Sequence, residues 1–312
     1  MTVNNPIKVA FFGECMLELN GTAFGTMQQS YGGDTFNTAV YLARCGAGTI
    51  KPWYATALGD DALSLELECR WAQDGLALDL VRHISDRMPG LYQIQVDAQG
   101  ERRFSFWRDN SAVKSYFEVT ETPLEARSDE WDAFYFSGIS LAILPADGRD
   151  RLLGFAQALR KRGATVVFDN NYRPSLWPDK AVARDSFSRA FAVADTALIT
   201  ADDHQALFGF ASLALAVTAA QELNVFEVVI KRGAAPTLVR SGNGPWHSVP
   251  TQDMANVVDT TAAGDSFAAG YLSRRLRGTP PEEAAQFGNR LAARVIAHRG
   301  AIIPPDAMAD LI

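Results

Sequence analysis

The stretch Val257-Val258-Asp259-Thr260-Thr261-Ala262-Ala263-Gly264-Asp265-Ser266-Phe267-Ala268-Ala269-Gly270 carries the most information in this chain. A β-type start runs into consecutive small residues. Asp265 then opens an apolar stretch that continues through Tyr271, Leu272 and Leu276 at helical spacing. Small residues at such a junction let the backbone approach a ligand closely, and the first amides of a helix point outward unpaired. That is an anion site, and its natural anion is a phosphate. Beside a bound γ-phosphate, the Asp265 carboxylate is placed to accept the proton of an attacking hydroxyl, a role worth roughly 10²–10⁴ in rate. The competing reading makes Asp265 only an acid stabilised by the helix dipole.

Outward from this segment, short β-rich runs alternate with helical patterns, the signature of βα units around a largely parallel sheet. Strands are expected at Lys8–Gly13, Trp53–Leu58, Ala133–Ser137, Thr165–Asp169, Thr196–Thr200 and Glu227–Lys231. Phe36, Ala39, Val40 and Ala43 keep one apolar helical face, as do Leu152, Leu153, Ala156 and Leu159. One region breaks the series. Gly90–Val96 and Arg102–Arg108 flank Asp97-Ala98-Gln99-Gly100, a connection with hairpin composition, and Asn20–Gly33 is punctuated by glycines. These segments predict a small β lid against the main layer. Alternation on the second run puts Phe104, Phe106 and Arg108 on one side. Such a face suits an anionic organic ligand, or is an ordinary half-buried strand covered by arginine stems.

Composition excludes other classes. The 312 residues carry 29 Lys+Arg and 36 Asp+Glu, a net charge of −7, which disfavours an extended nucleic-acid surface. With 47% apolar and 21% charged residues, the chain can bury a large core. Cys15, Cys45 and Cys69 are odd in number and widely spaced, so neither a disulfide framework nor a zinc site is expected. No secretory h-region can be drawn and no uncharged stretch reaches membrane-spanning length, so a cytoplasmic protein without membrane contact is expected. P-loop, Rossmann, protein-kinase and nucleophile-elbow fingerprints are all missing.

Asp259 to Asp265 followed by Ala269-Gly270 resembles the C-terminal signature of the ribokinase-like (phosphofructokinase B type) carbohydrate kinases. Gly32-Gly33-Asp34-Thr35-Phe36-Asn37 is similar to their glycine-pair motif, Asp169-Asn170-Asn171-Tyr172-Arg173-Pro174 to their Asp-x-Asn-x-Arg segment, and Lys231-Arg232-Gly233 to their nucleotide loop. The landmarks keep the family's order and cover nearly the whole chain. Gly13-Glu14-Cys15-Met16, Pro89-Gly90-Leu91-Tyr92, Ser137 to Leu144 and Arg299 to Pro304 resemble the branch that acts on a 2-keto-3-deoxy sugar acid.

The resemblance implies one α/β ribokinase-like catalytic domain over residues 1–312, with a lid from about 15–33 and 86–119. It implies phosphorylation of 2-keto-3-deoxy-D-gluconate to its 6-phosphate with ATP and Mg²⁺, with a monovalent cation as a further option. Asp265 would be the base, over an anion hole of Ala262, Ala263 and Gly264. Gly33, Asp34, Asn37, Tyr92, Phe106, Arg108 and Arg173 would hold the substrate, the arginines meeting its carboxylate, which a net-negative protein needs a local cation to bind. Asn171, Lys231, Arg232, Gly233 and Asn289 would serve ATP, and Asp203 the metal through water. Pairing of lid strands between subunits predicts a homo-oligomer. The alternatives are a fructokinase or other sugar kinase on the same scaffold, or a sugar-acid or nucleotide sensor without turnover.

Three departures from the pattern matter. Ala262 replaces the family's usual glycine; at positive φ its Cβ would cost roughly 1 kcal/mol or more, and the position is taken as tolerant. The family's Asn-x-x-Glu is Thr200-Ala201-Asp202-Asp203, with a shorter carboxylate. The lid's expected Tyr-x-Arg is Phe106-Trp107-Arg108, which lacks a hydroxyl.

Overall fold

The computed structural model describes residues 5–22, 24–96, 102–252, 254 and 256–312. Strands β1 (Ile7–Phe12), β4 (Ile50–Leu58), β5 (Val81–His83), β8 (Ala133–Ser137), β9 (Thr165–Asp169), β10 (Thr196–Thr200), β11 (Glu227–Arg232), β12 (Ala235–Ser241) and β13 (His247–Val249) form the large sheet. Its order is β13-β12-β11-β10-β9-β8-β1-β4-β5, parallel from β5 to β11 and antiparallel at β12 and β13. A second sheet holds β2 (Met16–Gly21), β3 (Met27–Gly32), β6 (Leu91–Val96) and β7 (Arg102–Trp107), in the order β3-β2-β6-β7. It is two antiparallel pairs joined by a parallel β2–β6 contact. The hairpin turn expected at 97–100 lies outside the described residues.

The central strands are apolar on both faces because helices cover both. Ala10 and Phe12 of β1 enter one core with Phe134, Phe136 and Phe168, while Val9 and Phe11 enter the other with Tyr135, Val167 and Leu198. The second core also receives helices Asp34–Cys45, Ala263–Arg275 and Pro281–Ile296. The last two approach closely at two glycines: a Cβ on Gly270 would lie 3.0 Å from the Gly288 Cα. Leaving β1, the chain builds β4 and β5 on one side and β8 to β11 on the other. The order therefore reverses at β1, and the C-terminal strand ends beside such a reversal are where open α/β sheets bind ligands.

All six expected main-sheet strands are present, with ends shifted by up to three residues. Three further strands, the edge strands β5 and β13 and their neighbour β12 beside β13, extend the sheet beyond those six. Among the described residues, the three cysteines are free, Cys15 and Cys45 being buried, and no helix is long and apolar enough to cross a membrane.

Candidate active site

Every main-sheet landmark lies at a C-terminal strand end. Gly13 and Glu14 follow β1, Gly138 follows β8, Asp169 closes β9, Thr200 closes β10, and Lys231 stands near the end of β11. Above them two helix N-termini converge, those of Asp34–Cys45 and Ala263–Arg275. Asn37, in the second turn of one, donates from Nδ2 to Asp265 Oδ2 of the other at 2.8 Å. The backbone of Gly33 touches the Glu14 carbonyl so closely that a Cβ there would sit 1.9 Å from that oxygen. Asp34 takes a 2.8 Å hydrogen bond from Asn171 Nδ2, and Lys231 Nζ pairs with Asp169 Oδ2 at 2.8 Å.

Asp34, Asp169 and Asp265 thus lie near enough for their charges to act on one another. Burial first, and then the charges of Asp34 and Asp169, push Asp265 up to about 8 against the opposing pull of the Asn37 amide and Lys231. Asp34 is raised for the same leading reason, with Ser137 and Asn171 among the groups holding it down.

The helix starting at Ala263 has no side-chain cap. Its Ala263 amide turns back to Thr260 O, and the first intrahelical bond runs from Ser266 N to Ala262 O at 2.9 Å. Among the described residues, the Gly264 and Asp265 amides meet no acceptor, as is usual for the first amides of a helix. Ala262 adopts φ 59°, the left-handed region. This corrects the expectation of tolerance at 262: the alanine there carries the strain that the family's glycine would not.

A cavity of about 580 Å³ opens on the far side of that turn, within the usual range for small-ligand sites. Lys231, Arg232, Gly233, Gly264 and Asn289 line it. Asn289 is buried, not a surface amide, and its side chain is spent inside the protein. It donates to Pro250 O at 3.0 Å and accepts from Thr237 Oγ1 at 2.9 Å, holding the cavity wall in place. Asn171, expected on the same side, is drawn to Asp34 and does not line this cavity.

Tyr92, Arg108 and Arg173, all expected to hold the substrate, are engaged with carboxylates. Tyr92 donates its hydroxyl to Glu18, and Arg108 forms a buried ion pair with Glu14. Arg173 is half exposed and bonds Asp203 at 3.3 Å, which also accepts from the Tyr172 amide. The two arginines expected on one carboxylate are thus held by different elements, one under the lid and one at the rim. Phe106 stacks on Phe104, both about half exposed. Sequence reasoning missed Glu14, Glu18 and Asp169 as site members. Glu14 and Glu18 are acids in an otherwise apolar segment, Glu14 in the connection after β1 and Glu18 within β2.

The pfkB family carbohydrate kinase pattern matches residues 6–308. The chain is 42% identical to a 2-dehydro-3-deoxygluconokinase of Dickeya dadantii, over 99% of each protein. The crystal structure of 2-dehydro-3-deoxygluconokinase from Thermotoga maritima superposes with a TM-score of 0.82 at 23% identity, covering 98% of this chain and 99% of that one. The aminoimidazole riboside kinase of Salmonella enterica, solved with aminoimidazole riboside and an ATP analog, gives 0.80 at 24% identity, covering 97% and 99%. At those identities the structures speak for the fold alone. A match over almost the whole length, together with the paired helix N-termini above the strand ends, places this chain in the pfkB family of carbohydrate kinases.

Proposed function

We infer that this chain transfers the γ-phosphoryl group of ATP to the 6-hydroxyl of 2-keto-3-deoxy-D-gluconate (2-dehydro-3-deoxy-D-gluconate), giving the 6-phosphate and ADP. The observation that carries this is 42% identity over 99% of the chain to a 2-dehydro-3-deoxygluconokinase, joined to an intact Asp265 at the helix start. We read residues 1–312 as one catalytic domain with a lid over 15–33 and 86–119. Under that lid Gly33, Asp34, Asn37, Tyr92, Phe106 and Arg108 hold the sugar acid, with Arg173 at the rim.

Asp265 accepts the hydroxyl proton as the oxygen–phosphorus bond forms, and the bond to ADP breaks. Asn37 fixes the carboxylate's orientation. Lys231, 3.5 Å from where a Cβ on Gly264 would lie, brings a positive charge that favours the ionised base. The amides of the 262–265 turn receive the phosphoryl oxygens, and charge stabilisation by preorganised donors is the main demand of phosphoryl transfer. The cavity lined by Lys231, Arg232, Gly233 and Asn289 takes the nucleotide.

Among the described residues, no group of three or more acids, histidines or cysteines could cage a metal. Mg²⁺ arriving on the nucleotide's phosphates needs no such cage, since it keeps most of its water and takes few carboxylates. Asp203 would meet it through water, and its chemistry there is to neutralise phosphate charge. A monovalent cation, a cytoplasmic location and a homo-oligomer formed through the lid complete the reading. Half-exposed Phe104, Phe106 and Trp107 support the last.

ADP release measured with the keto-acid, fructose, ribose and adenosine side by side tests the proposal. Preference for the keto-acid is expected. Preference for fructose would make the chain a fructokinase and sink the role of Arg108, and no turnover with any acceptor would leave a sensor.

A further inference from the structure

We propose that Glu14 is a specificity-determining residue: it is the internal counter-ion of Arg108, and the substrate's carboxylate has to compete with it for that guanidinium. The proposal rests on the reading that Arg108 meets the sugar acid. Glu14 follows β1 on the substrate side, its carbonyl pressed against Gly33, and its side chain is 3% exposed against 8% for Arg108. The two are joined through a single nitrogen, Nη2 of Arg108 to Oε2 of Glu14. Arg108 Nε and Glu14 Oε1 are both buried and have no partner.

A guanidinium presents a planar fork that can hold more than one acceptor. Here the fork is one acceptor short, in a place where an unpaired donor is unfavourable. A carboxylate supplies the missing acceptor together with a charge that competes with that of Glu14, whereas a sugar hydroxyl supplies no charge. Glu14 keeps Arg108 compensated while no substrate is bound, because a buried cation without its partner is strongly destabilising. For the same reason it weakens every anion that offers Arg108 only a charge, so discrimination is obtained by opposition as well as by attraction. Removing the Glu14 charge destabilises the free protein more than the anion-bound one, and linkage then requires anions to bind more tightly.

The test is Glu14→Gln on the full chain, with gluconate, inorganic phosphate and sorbitol as probes in calorimetry and thermal shift. The free variant should melt lower than the parent. Gluconate and phosphate should each bind about threefold tighter or more, sorbitol should be unchanged, and KM for the keto-acid should fall by more than kcat changes. A merely structural role predicts the opposite sign. Gluconate binding that is unchanged or weaker in E14Q overturns the proposal. Should E14Q not fold, Glu14→Asp keeps the charge but draws it back by one methylene; gluconate tightening is again expected, and its absence again overturns the proposal. Arg108→Gln separates the two layers: gluconate binding lost there but not tightened in E14Q sinks the role of Glu14 alone, whereas binding retained in R108Q sinks the reading of Arg108 itself.

Discussion

The two sheets place their functional groups by different physics. In the large sheet, Asp169 and Lys231 stand at the ends of strands buried on both faces, and two aromatic-rich cores set their backbone positions. In the small sheet, among the described residues, Met16, Tyr92 and Ile94 form a small buried cluster of their own while Leu17 joins the second main core, and Phe104, Phe106 and Trp107 are half exposed. Arg108 and Tyr92 there are oriented by pairing with Glu14 and Glu18 on top of limited packing, the Tyr92 ring lying against Phe104 and Phe106. Under the proposed function, then, the phosphoryl side is preorganised by a large core, and the substrate side by a small cluster and two charge pairs. A phosphoryl-transfer site needs rigid donors, while a lid has to open.

The largest expected effect lies on the rigid side. Asp265→Asn should lower kcat by about 10²–10⁴-fold, measured by coupled ADP release, while gluconate affinity changes little. If the lid side carried the chemistry, the loss would be small. Asp265 also makes a pH prediction. Its folded-state pKa, about 8, lies above the ordinary 3.8, so the stability it contributes is complete below about pH 3.8 and is lost as the pH climbs to about 8. Melting curves should therefore show D265N gaining on the parent from pH 5 to pH 8, and a constant gap would contradict the carboxylate crowding.

Gly33→Ala probes the seam between the sheets. Its Cβ would lie 1.9 Å from the Glu14 carbonyl, so backbone has to move. A loss of roughly 1–3 kcal/mol in denaturant unfolding is expected, with raised KM for the keto-acid. An unchanged KM would show that the seam does not shape the substrate side. Arg173→Gln sharpens the contrast between a buried and a rim arginine. Arg173 is half exposed and its bond to Asp203 is long, so KM for the keto-acid should rise only about two- to fivefold, well below the effect of Arg108→Gln. Equal effects would place the carboxylate between the two. The smallest effect is expected for Ala262→Gly, which relieves the left-handed strain but adds freedom to the unfolded chain. A net gain below about 1 kcal/mol, read as a slightly higher Tm, should result.

Much of the fold was legible because buried parallel strands are continuous apolar runs: Ala133–Ser137 and Thr165–Asp169 match residue for residue. Strand β12 was not legible, since it holds a proline and an arginine and pairs next to the edge. At the site, Asp265 and its turn could be read from local order alone. The partners of Arg108, Asp34 and Asp169 could not, because they lie 94, 137 and 62 residues away in the chain.

By itself, then, the sequence determined the local structure at strand and helix ends, where small residues, a β-to-helix switch and one acid are neighbours along the backbone. Only the tertiary structure decided which charges are spent and which remain free. Asn289 turned out to brace a wall, Arg108 to be held by Glu14, and Ala262 to sit at φ 59°. Local propensity acts over a few residues, whereas the ionisation and pairing of a buried group depend on everything that folding brings within a few ångströms of it.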